Sequence, residues 1–148
     1  MKLEHVYKTF YPNTPKEVKA LTDINLTFEK GEFTTLSGES GSGKTTLLNI
    51  IGGLDSATNG EIFFEGDEIT SYSEEKMAKL RLHDIGFIFQ AYNLIHVLTV
   101  RENIGFIMKL LKFDDKEIEA RTLELASILQ IEEILDKLPG EISGGQQQ

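Results

Sequence analysis

Apolar and polar residues alternate in several short stretches of the first half of the chain. The alternation is clearest in "KLEHVY", in "INLTF" and in "EIFFEGDEI", which contains a Gly-Asp pair. A period of two puts apolar side chains on one face of a β-strand, and a Gly-Asp pair is typical of the turn between two strands. The pattern therefore predicts an antiparallel sheet built from residues 2–36 and 60–70.

Two more apolar runs predict strands of a different kind. "EFTTL" leads into a glycine-rich stretch, and "IGFIF" at residues 85–89 is uninterrupted and bounded by polar residues. A strand that is buried on both faces has this continuous apolar character, as in parallel sheets covered by helices. We therefore expect a partial parallel core that contains these two segments.

The period changes after residue 90, where two amphipathic helices are predicted. Thr99 with Glu102, and Asp114 with Glu117, have the spacing of helix capping boxes. The apolar residues that follow recur at helical spacing and are expected to pack in a core: Ile104, Met108 and Leu111 in the first helix, and Ile118, Leu125 and Leu129 in the second.

A short third helix, "IEEILDKL", is predicted to end at Pro139 and Gly140. With it, a helical subdomain spans residues 97–138, and the chain falls in the α/β class. The predicted organisation is one domain, with the sheets over residues 1–90 and the helical part over residues 91–148. A hydrophobic content of 40% in 148 residues is enough for a sizeable core.

Composition excludes some classes of function. The net charge of −9, without any basic run, argues against a nucleic-acid binder, because phosphate backbones attract clustered lysine and arginine. The chain has no cysteine, so disulfides and thiolate metal sites are not expected, which suits a reducing compartment. No stretch approaches the roughly 18 apolar residues of a membrane span, and "MKLEHVYKTF" lacks the apolar core of a signal peptide. Any membrane role is expected to come through a partner.

The stretch "GESGSGKTT" at residues 38–46 carries the clearest chemistry. Gly38, Gly43, Lys44 and Thr45 have the spacing of a phosphate-binding loop, in which backbone N–H groups wrap an anion and the lysine offsets its charge. The helix that follows, "KTTLLNIIGG", would add the positive end of its dipole, and the threonine hydroxyl would bind Mg²⁺. A glycine-rich turn with an exposed lysine is the simpler alternative.

A second glycine-containing motif closes the sequence as "EISGGQQQ", residues 141–148. Alone it could be a frayed tail. Beside a phosphate-binding loop, its backbone N–H groups and serine hydroxyl could form another phosphate contact at a helix start.

Together these motifs make the chain resemble the nucleotide-binding subunit of ATP-binding-cassette (ABC) transporters. "GESGSGKTT" is similar to the Walker A loop of that family, "FIFQAYNLI" to its Q-loop with Gln90, and "ISGGQQQ" to its signature motif, with Ile142 where leucine is usual. The amino-acid sequences "NIIGGLDSATNGEI" and "GFIFQAYNLI" most resemble those of the branch for lipoprotein release, macrolide export and antimicrobial-peptide resistance.

The resemblance implies ATP and Mg²⁺ as ligands and assigns roles by position. Residues 40–46 would hold the phosphates, Lys44 the outer two, and Thr45 with Gln90 the Mg²⁺. An aromatic residue of "TFYP" would stack on adenine; distance from the first strand indicates Phe10 and distance from "ALTDINL" indicates Tyr11, which we favour. The full set of expected ATP-binding residues is Phe10, Tyr11, Gly38, Glu39, Ser40, Gly41, Ser42, Gly43, Lys44, Thr45, Thr46, Gln90, Ser143, Gly144, Gly145 and Gln146.

The resemblance also implies two partners. A second nucleotide-binding subunit would complete an ATP sandwich, because Ser143, Gly144 and Gly145 act in trans on the γ-phosphate held by the other subunit. A membrane-spanning subunit would contact residues 91–98, although "YNLIHVL" is also apolar enough to be ordinary core. The expected location is cytoplasmic, at the inner face of the cell membrane through that subunit.

Some motifs of the family do not occur in these 148 residues. The family continues after its signature with the Walker B aspartate, a catalytic glutamate and a switch histidine, so no catalytic residue is assigned and the 148 residues alone are expected not to hydrolyse ATP. The leading function is the ATPase subunit of an ABC transporter. The alternatives are a non-catalytic nucleotide-binding or regulatory module, and an unrelated phosphate-loop protein such as a kinase or recombination ATPase, against which the signature argues.

Overall fold

The structure, a computed structural model that describes residues 1–148, divides into two units, residues 1–86 and 87–148. The sequence placed the division after residue 90. Each unit has a buried apolar cluster of its own. The first consists of Leu3, Val6, Leu21, Leu47, Ile50, Ile62 and Ile69, and the second of Val100, Ala126, Ile134 and Leu135.

A four-stranded antiparallel sheet forms most of the first unit and confirms the alternating pattern. Its strands are β1 (Lys2–Phe10), β2 (Val18–Thr27), β3 (Asn59–Phe64) and β4 (Asp67–Glu68), in the order β2-β1-β3-β4. The turn between the last two consists of Glu65 and Gly66, whose φ angles of 50° and 94° are both positive. A two-residue hairpin of type I′ needs positive φ at both positions, and glycine readily provides it.

The predicted parallel strands are absent, and this prediction was wrong. "EFTTL" at residues 32–36 and "IGFIF" at residues 85–89 belong to no strand of the structure. A strand exists only when a neighbour supplies the partners of its ladder hydrogen bonds, and neither segment has such a neighbour in this chain. Their apolar pattern predicted strands, but pattern alone cannot supply the partner.

Five helices accompany the sheet: α1 (Lys44–Ile51), α2 (Glu74–Asp84), α3 (Val100–Leu110), α4 (Asp115–Leu129) and α5 (Gly144–Gln147). The helix after the glycine-rich loop was predicted, whereas α2 was missed. Two features of the sequence indicate this helix. Ser73 is an N-cap residue that accepts a hydrogen bond from Lys76 N–H, and the acidic Glu74 and Glu75 lie at the positive end of the helix dipole. It has no fully buried residue, so its apolar stripe is weak.

The helices α3 and α4 confirm both predicted capping boxes. Thr99 accepts from the N–H of Glu102, whose carboxylate accepts from the N–H of Thr99, and Asp114 and Glu117 repeat the arrangement. One predicted core position was wrong, because Leu129 is 64% exposed. It is the last residue of α4, and the helix buries Thr122 and Ala126 instead.

The predicted third helix over "IEEILDKL" is also wrong. The structure has only a 3₁₀ turn at Glu132–Ile134 and another at Pro139–Glu141. The carbonyl groups between them bond elsewhere: Val100 N–H donates to Lys137 O at 2.9 Å, and Arg101 N–H donates to Leu135 O at 2.8 Å. The segment therefore caps the start of α3, and these carbonyl oxygens serve the α3 N–H groups rather than a helix of their own.

Candidate functional site

The predicted phosphate-binding loop lies directly before α1. Gly43 is the N-cap of this helix, in the left-handed conformation with a φ of 90°, and no side chain caps it. A Cβ at this position would lie 2.6 Å from the carbonyl oxygen of Ala20 on β2, so the backbone approach requires glycine. The loop is therefore held against β2 by close backbone packing.

The start of α1 has free hydrogen-bond donors. Within α1, Leu47 is the first residue whose N–H has an acceptor, the carbonyl oxygen of Gly43 at 2.9 Å. The N–H groups of residues 43–46 have no acceptor in the chain. Helix starts with such unpaired donors, at the positive end of the helix dipole, favour an anion.

Lys44 lies over the same loop. Its ammonium donates to the carbonyl oxygens of Gly38 at 2.9 Å and Glu39 at 2.6 Å, and it is 3.2 Å from the hydroxyl oxygen of Ser42. A lysine ammonium has three donors, and the loop provides an acceptor for each. The charge is thus fixed beside the unpaired N–H groups, where it adds to their attraction for an anion.

An open depression of about 580 Å³ connects this loop to the sheet. Its lining contains two lysines and no carboxylate. The lining residues are Phe10, Val18, Lys19, Ala20, Ser40, Gly41, Gly43, Lys44, Thr45 and Thr46. A surface with cations, hydroxyls and backbone donors, next to one aromatic ring, suits a ligand with an anionic end and a flat apolar end.

The two aromatic candidates are placed differently. Phe10, the last residue of β1, lines the depression, whereas Tyr11 does not and is 67% exposed. The sequence did not single out Val18, Lys19 or Ala20 as site residues. The signal that could have found them is strand pairing, because Phe10 lies opposite Val18 in the register of β1 with β2.

The remaining predicted site residues lie in the second unit. Gln90 is in an exposed turn. Ser143 is the N-cap of α5, and its side chain accepts from the N–H of Gln146 at 3.4 Å. The side-chain oxygen of Gln146 in turn accepts from the N–H of Ser143 at 3.0 Å, so these two side chains form a capping box. Gly144 and Gly145 begin the helix and are exposed.

No helix of the chain is both long enough and apolar enough to cross a bilayer.

Comparisons with known proteins identify relatives along the whole chain. The family described as ABC transporter matches residues 21–148. The bacitracin export ATP-binding protein BceA of Halalkalibacterium halodurans is 43% identical over 144 residues, which are 97% of this chain and 56% of that protein. The putative hemin import ATP-binding protein HrtA of Staphylococcus epidermidis is 45% identical over 146 residues, 99% of this chain and 65% of the relative. The lipoprotein-releasing system ATP-binding protein LolD of Buchnera aphidicola is 39% identical, with coverages of 95% and 61%.

Solved structures agree with the sequence relatives. The dimeric structure of MJ0796, described as a bacterial ABC transporter cassette, matches with a TM-score of 0.90 and 36% identity over 99% of this chain and 64% of that one. A dimeric post-hydrolysis state of MJ0796 bound to ADP and Pi matches with a TM-score of 0.90 and 37% identity. The chain spans less than two thirds of the length of each of these proteins.

Proposed function

The chain belongs to the ABC transporter family, and we propose that it is the ATP-binding part of a subunit that powers transport by binding and hydrolysing ATP. The observation that carries this proposal is the start of α1, where Lys44 and the unpaired N–H groups of residues 43–46 face one open depression. The family and its phosphate-loop fold, which the sequence predicted, are confirmed by the family match and by the likeness to MJ0796. The predicted branch is supported too, because LolD and BceA are among the relatives.

We place the phosphates of ATP at residues 40–46. The unpaired N–H groups and the ammonium of Lys44 would neutralise them, and the hydroxyl of Thr45, which lines the depression, would bind the Mg²⁺. Gln90 is assigned to the same ion by the sequence resemblance alone. Bound Mg²⁺ would offset the charge on the phosphate oxygens. The donor set fits, because hydroxyl and amide oxygens are ligands that a hard cation accepts.

The adenine base is assigned to Phe10 rather than to Tyr11. Phe10 lines the depression that contains the loop, and its ring is the only aromatic one in that lining. Stacking on a base requires a ring face at the site, and the exposed Tyr11 does not line it. This assignment replaces the preference for Tyr11 drawn from sequence spacing.

Two partners belong to the proposal. A second copy of the subunit would present Ser143, Gly144, Gly145 and Gln146 to the γ-phosphate, and a membrane-spanning subunit would contact residues 91–98 and hold the protein at the inner face of the membrane. Support comes from the relatives, since MJ0796 is described as dimeric and BceA as an export ATP-binding protein.

The proposed activity needs a catalytic carboxylate that the depression does not provide. None of its lining residues is an aspartate or glutamate, and a general base contributes about 10²- to 10⁴-fold to a rate. We therefore propose that the 148 residues by themselves bind ATP without turnover. A non-catalytic nucleotide-binding module is the second candidate, and the same observation favours it.

A titration with ATP tests the site, at a protein concentration low enough for light scattering to show single chains. Lys44→Ala should weaken binding about tenfold to hundredfold, because hydrogen bonds to a charged group contribute roughly 1.5–3 kcal/mol. Ser143→Ala removes only the cap of α5 and should leave ATP affinity unchanged in a monomer. Equal losses in the two variants would contradict the in-trans role of Ser143, and unchanged affinity in Lys44→Ala would contradict the phosphate site.

A phosphate-release assay tests whether the 148 residues turn over ATP. They should release phosphate no faster than Lys44→Ala. Turnover by the 148 residues, lost in Lys44→Ala, would overturn the proposal that they lack a catalytic carboxylate.

A further inference from the structure

Lys8 on β1 is an enclosed cation, with only 12% of its side chain exposed. Its ammonium donates to a carboxylate oxygen of Asp55 at 2.6 Å and to the carbonyl oxygen of Ser56 at 2.7 Å. An enclosed charge is costly unless it is paired and hydrogen-bonded, and Lys8 has both kinds of partner. The ammonium is therefore held at one place.

That place is beside Phe10. The Lys8 ammonium lies 4.9 Å from the centroid of the Phe10 ring, within the roughly 6 Å over which a cation is attracted to an aromatic face. The two residues are two positions apart on β1, and the register shift between Lys8 and Thr9 adds its extra residue on β2, so both side chains lie on the same face of the sheet. Phe10 lines the depression with the phosphate-binding loop, and Lys8 does not. The contact of Lys8 with that lining is through the ring.

The anchor of Lys8 is attached to the helix that carries the loop. Asp55 follows the end of α1, and the N–H groups of Leu54 and Asp55 both donate to the carbonyl oxygen of Asn49, at 2.7 Å and 3.2 Å. One end of α1 thus begins at the phosphate-binding loop, and the other end fixes the ammonium beside Phe10. Lys8 and the phosphate-binding loop are thus attached to opposite ends of the same helix.

The register of β1 also changes at Lys8. Its pairing with β2 shifts between Val6 and Lys8 and again between Lys8 and Thr9. In both shifts the extra residue lies on β2, and a bulge re-aims the side chains of the strand that carries the extra residue. The strand β1 therefore stays regular from Lys8 to Phe10.

We propose that Lys8 is a positioning residue for base recognition, which holds the Phe10 ring so that its other face stacks on the purine of a nucleoside triphosphate. This inference rests on the proposed function, in which Phe10 contacts adenine. A ring already fixed by a cation on one side loses less freedom when a base stacks on it, and the binding constant rises accordingly. The contribution of Lys8 is therefore specific to ligands that carry a base.

The test compares two ligands on the 148-residue chain, ATP and inorganic tripolyphosphate, each with Mg²⁺. Lys8→Met keeps the length of the side chain and removes its charge, so it should weaken ATP binding about two- to thirtyfold, the range of a cation–aromatic contact, and leave tripolyphosphate affinity unchanged. Lys8→Arg keeps the cation and should retain ATP affinity. Lys2→Met is the matched control, because Lys2 lies on the same strand, pairs only with Glu4 and should change neither ligand.

Two more variants keep the outcome interpretable. Lys8→Met leaves the Asp55 carboxylate without its partner, so Lys8→Met/Asp55→Asn supplies a neutral pair, and its ATP affinity should fall as in Lys8→Met. In a Phe10→Ala background, Lys8→Met should have no further effect on ATP, because its action passes through the ring. Both variants are checked for a native unfolding transition before titration.

Equal weakening of ATP and tripolyphosphate by Lys8→Met would overturn the inference, because it would show that Lys8 only supports the loop. Unchanged ATP affinity in Lys8→Met, with a loss in Phe10→Ala, would overturn this inference and leave the proposed function intact. Unchanged affinity in Phe10→Ala, with a loss in Lys44→Ala, would overturn both this inference and the adenine assignment while keeping the phosphate site.

Discussion

Gly43 approaches Ala20 so closely that a Cβ on the glycine would lie 2.6 Å from the alanine carbonyl oxygen. This relationship ties the start of α1 to β2, and neither backbone can move without shifting an entire element. Gly43→Ala should therefore lower both ATP affinity and the free energy of unfolding. The left-handed conformation alone costs about 1–2 kcal/mol for a non-glycine residue, and the clash adds to it.

Gly41→Ala is the control for this prediction. Gly41 also has a positive φ, 82°, but a Cβ there would have no atom within 4 Å. Urea unfolding should show a clearly larger loss for Gly43→Ala than for Gly41→Ala. Equal losses in the two variants would show that backbone conformation, and not the contact with Ala20, makes glycine necessary at position 43.

A second prediction concerns the contact of α3 with α4. A Cβ on Gly105 would lie 2.7 Å from the Cγ2 methyl carbon of Ile118. Alanine in a helix is about 1 kcal/mol more favourable than glycine, but overpacking costs about 1–3 kcal/mol. Gly105→Ala should therefore destabilise the protein in urea unfolding, by at most about 2 kcal/mol.

The double variant Gly105→Ala/Ile118→Ala tests the cause. Ile118→Ala should cost less in the Gly105→Ala background than in the wild type, because the new methyl group occupies space that the isoleucine leaves. Gly140→Ala is the control in the same unit, since a Cβ at Gly140 has no atom within 4 Å. Additive losses for the pair at positions 105 and 118 would contradict a direct contact.

Thr122 gives a third prediction about the same helix pair. Its hydroxyl is buried and has no hydrogen-bond partner. Thr122→Val keeps the shape and removes the unpaired group, so it should raise the free energy of unfolding by about 1 kcal/mol. Thr122→Ser keeps the hydroxyl and loses the methyl group, so it should lower stability. A loss in Thr122→Val would show that the hydroxyl has a partner in solution.

These helices show what the sequence could and could not predict. Their ends were predictable because a capping box is local, with both partners three residues apart, as in Thr99 and Glu102. The faces that they bury were not fully predictable, because the buried positions include Gly105 and Thr122, which a search for apolar residues passes over. Leu129 fits the period of α4 but ends the helix in solvent.

The candidate site also combines local features, which the sequence predicted, with long-range features, which it did not. The spacing of Gly38, Gly43 and Lys44 is local, so the sequence alone was enough to predict the phosphate-binding loop. Lys19 and Phe10 belong to the lining only through the pairing of β1 with β2, which is a long-range relationship. The choice between Phe10 and Tyr11 depends on the register of β1 with β2. Distance along the chain does not determine that register.

The fourth prediction is a pH dependence of the first unit. A ring nitrogen of His5 lies 2.7 Å from a carboxylate oxygen of Asp23, and hydrogen bonds from His5 first and Asn25 second hold the pKa of Asp23 below its ordinary value. A carboxylate whose pKa is lower in the folded state adds stability above the pKa of the unfolded chain, and this stability is lost as the pH falls through the folded pKa.

Stability of the wild type should therefore decrease below about pH 4, and Asp23→Asn should flatten that part of the curve. Asp67→Asn, in the same sheet, is the control because the Asp67 carboxylate forms no hydrogen bond or ion pair. Both members of the His5–Asp23 pair are exposed, so 1 M salt should reduce the effect. An unchanged curve in Asp23→Asn, measured by urea unfolding from pH 3 to 6, would contradict this role.

The last prediction is that the 148-residue chain associates with itself through its two unpaired apolar segments, "EFTTL" and "IGFIF". Phe33 in "EFTTL" is 94% exposed and Ile88 in "IGFIF" is 90% exposed, and neither segment belongs to a strand. Exposed apolar segments whose backbone N–H and C=O groups are unpaired readily pair with another chain. Light scattering should therefore show more than one chain per particle, and Phe33→Ser/Ile88→Ser should reduce the particle mass toward that of a monomer. Ile128→Ser is the control, because Ile128 is also exposed but lies on α4, where the helix pairs the backbone groups. A monomeric wild type would contradict the prediction, as would equal reduction by the Ile128 variant, which would assign association to exposed apolar area in general.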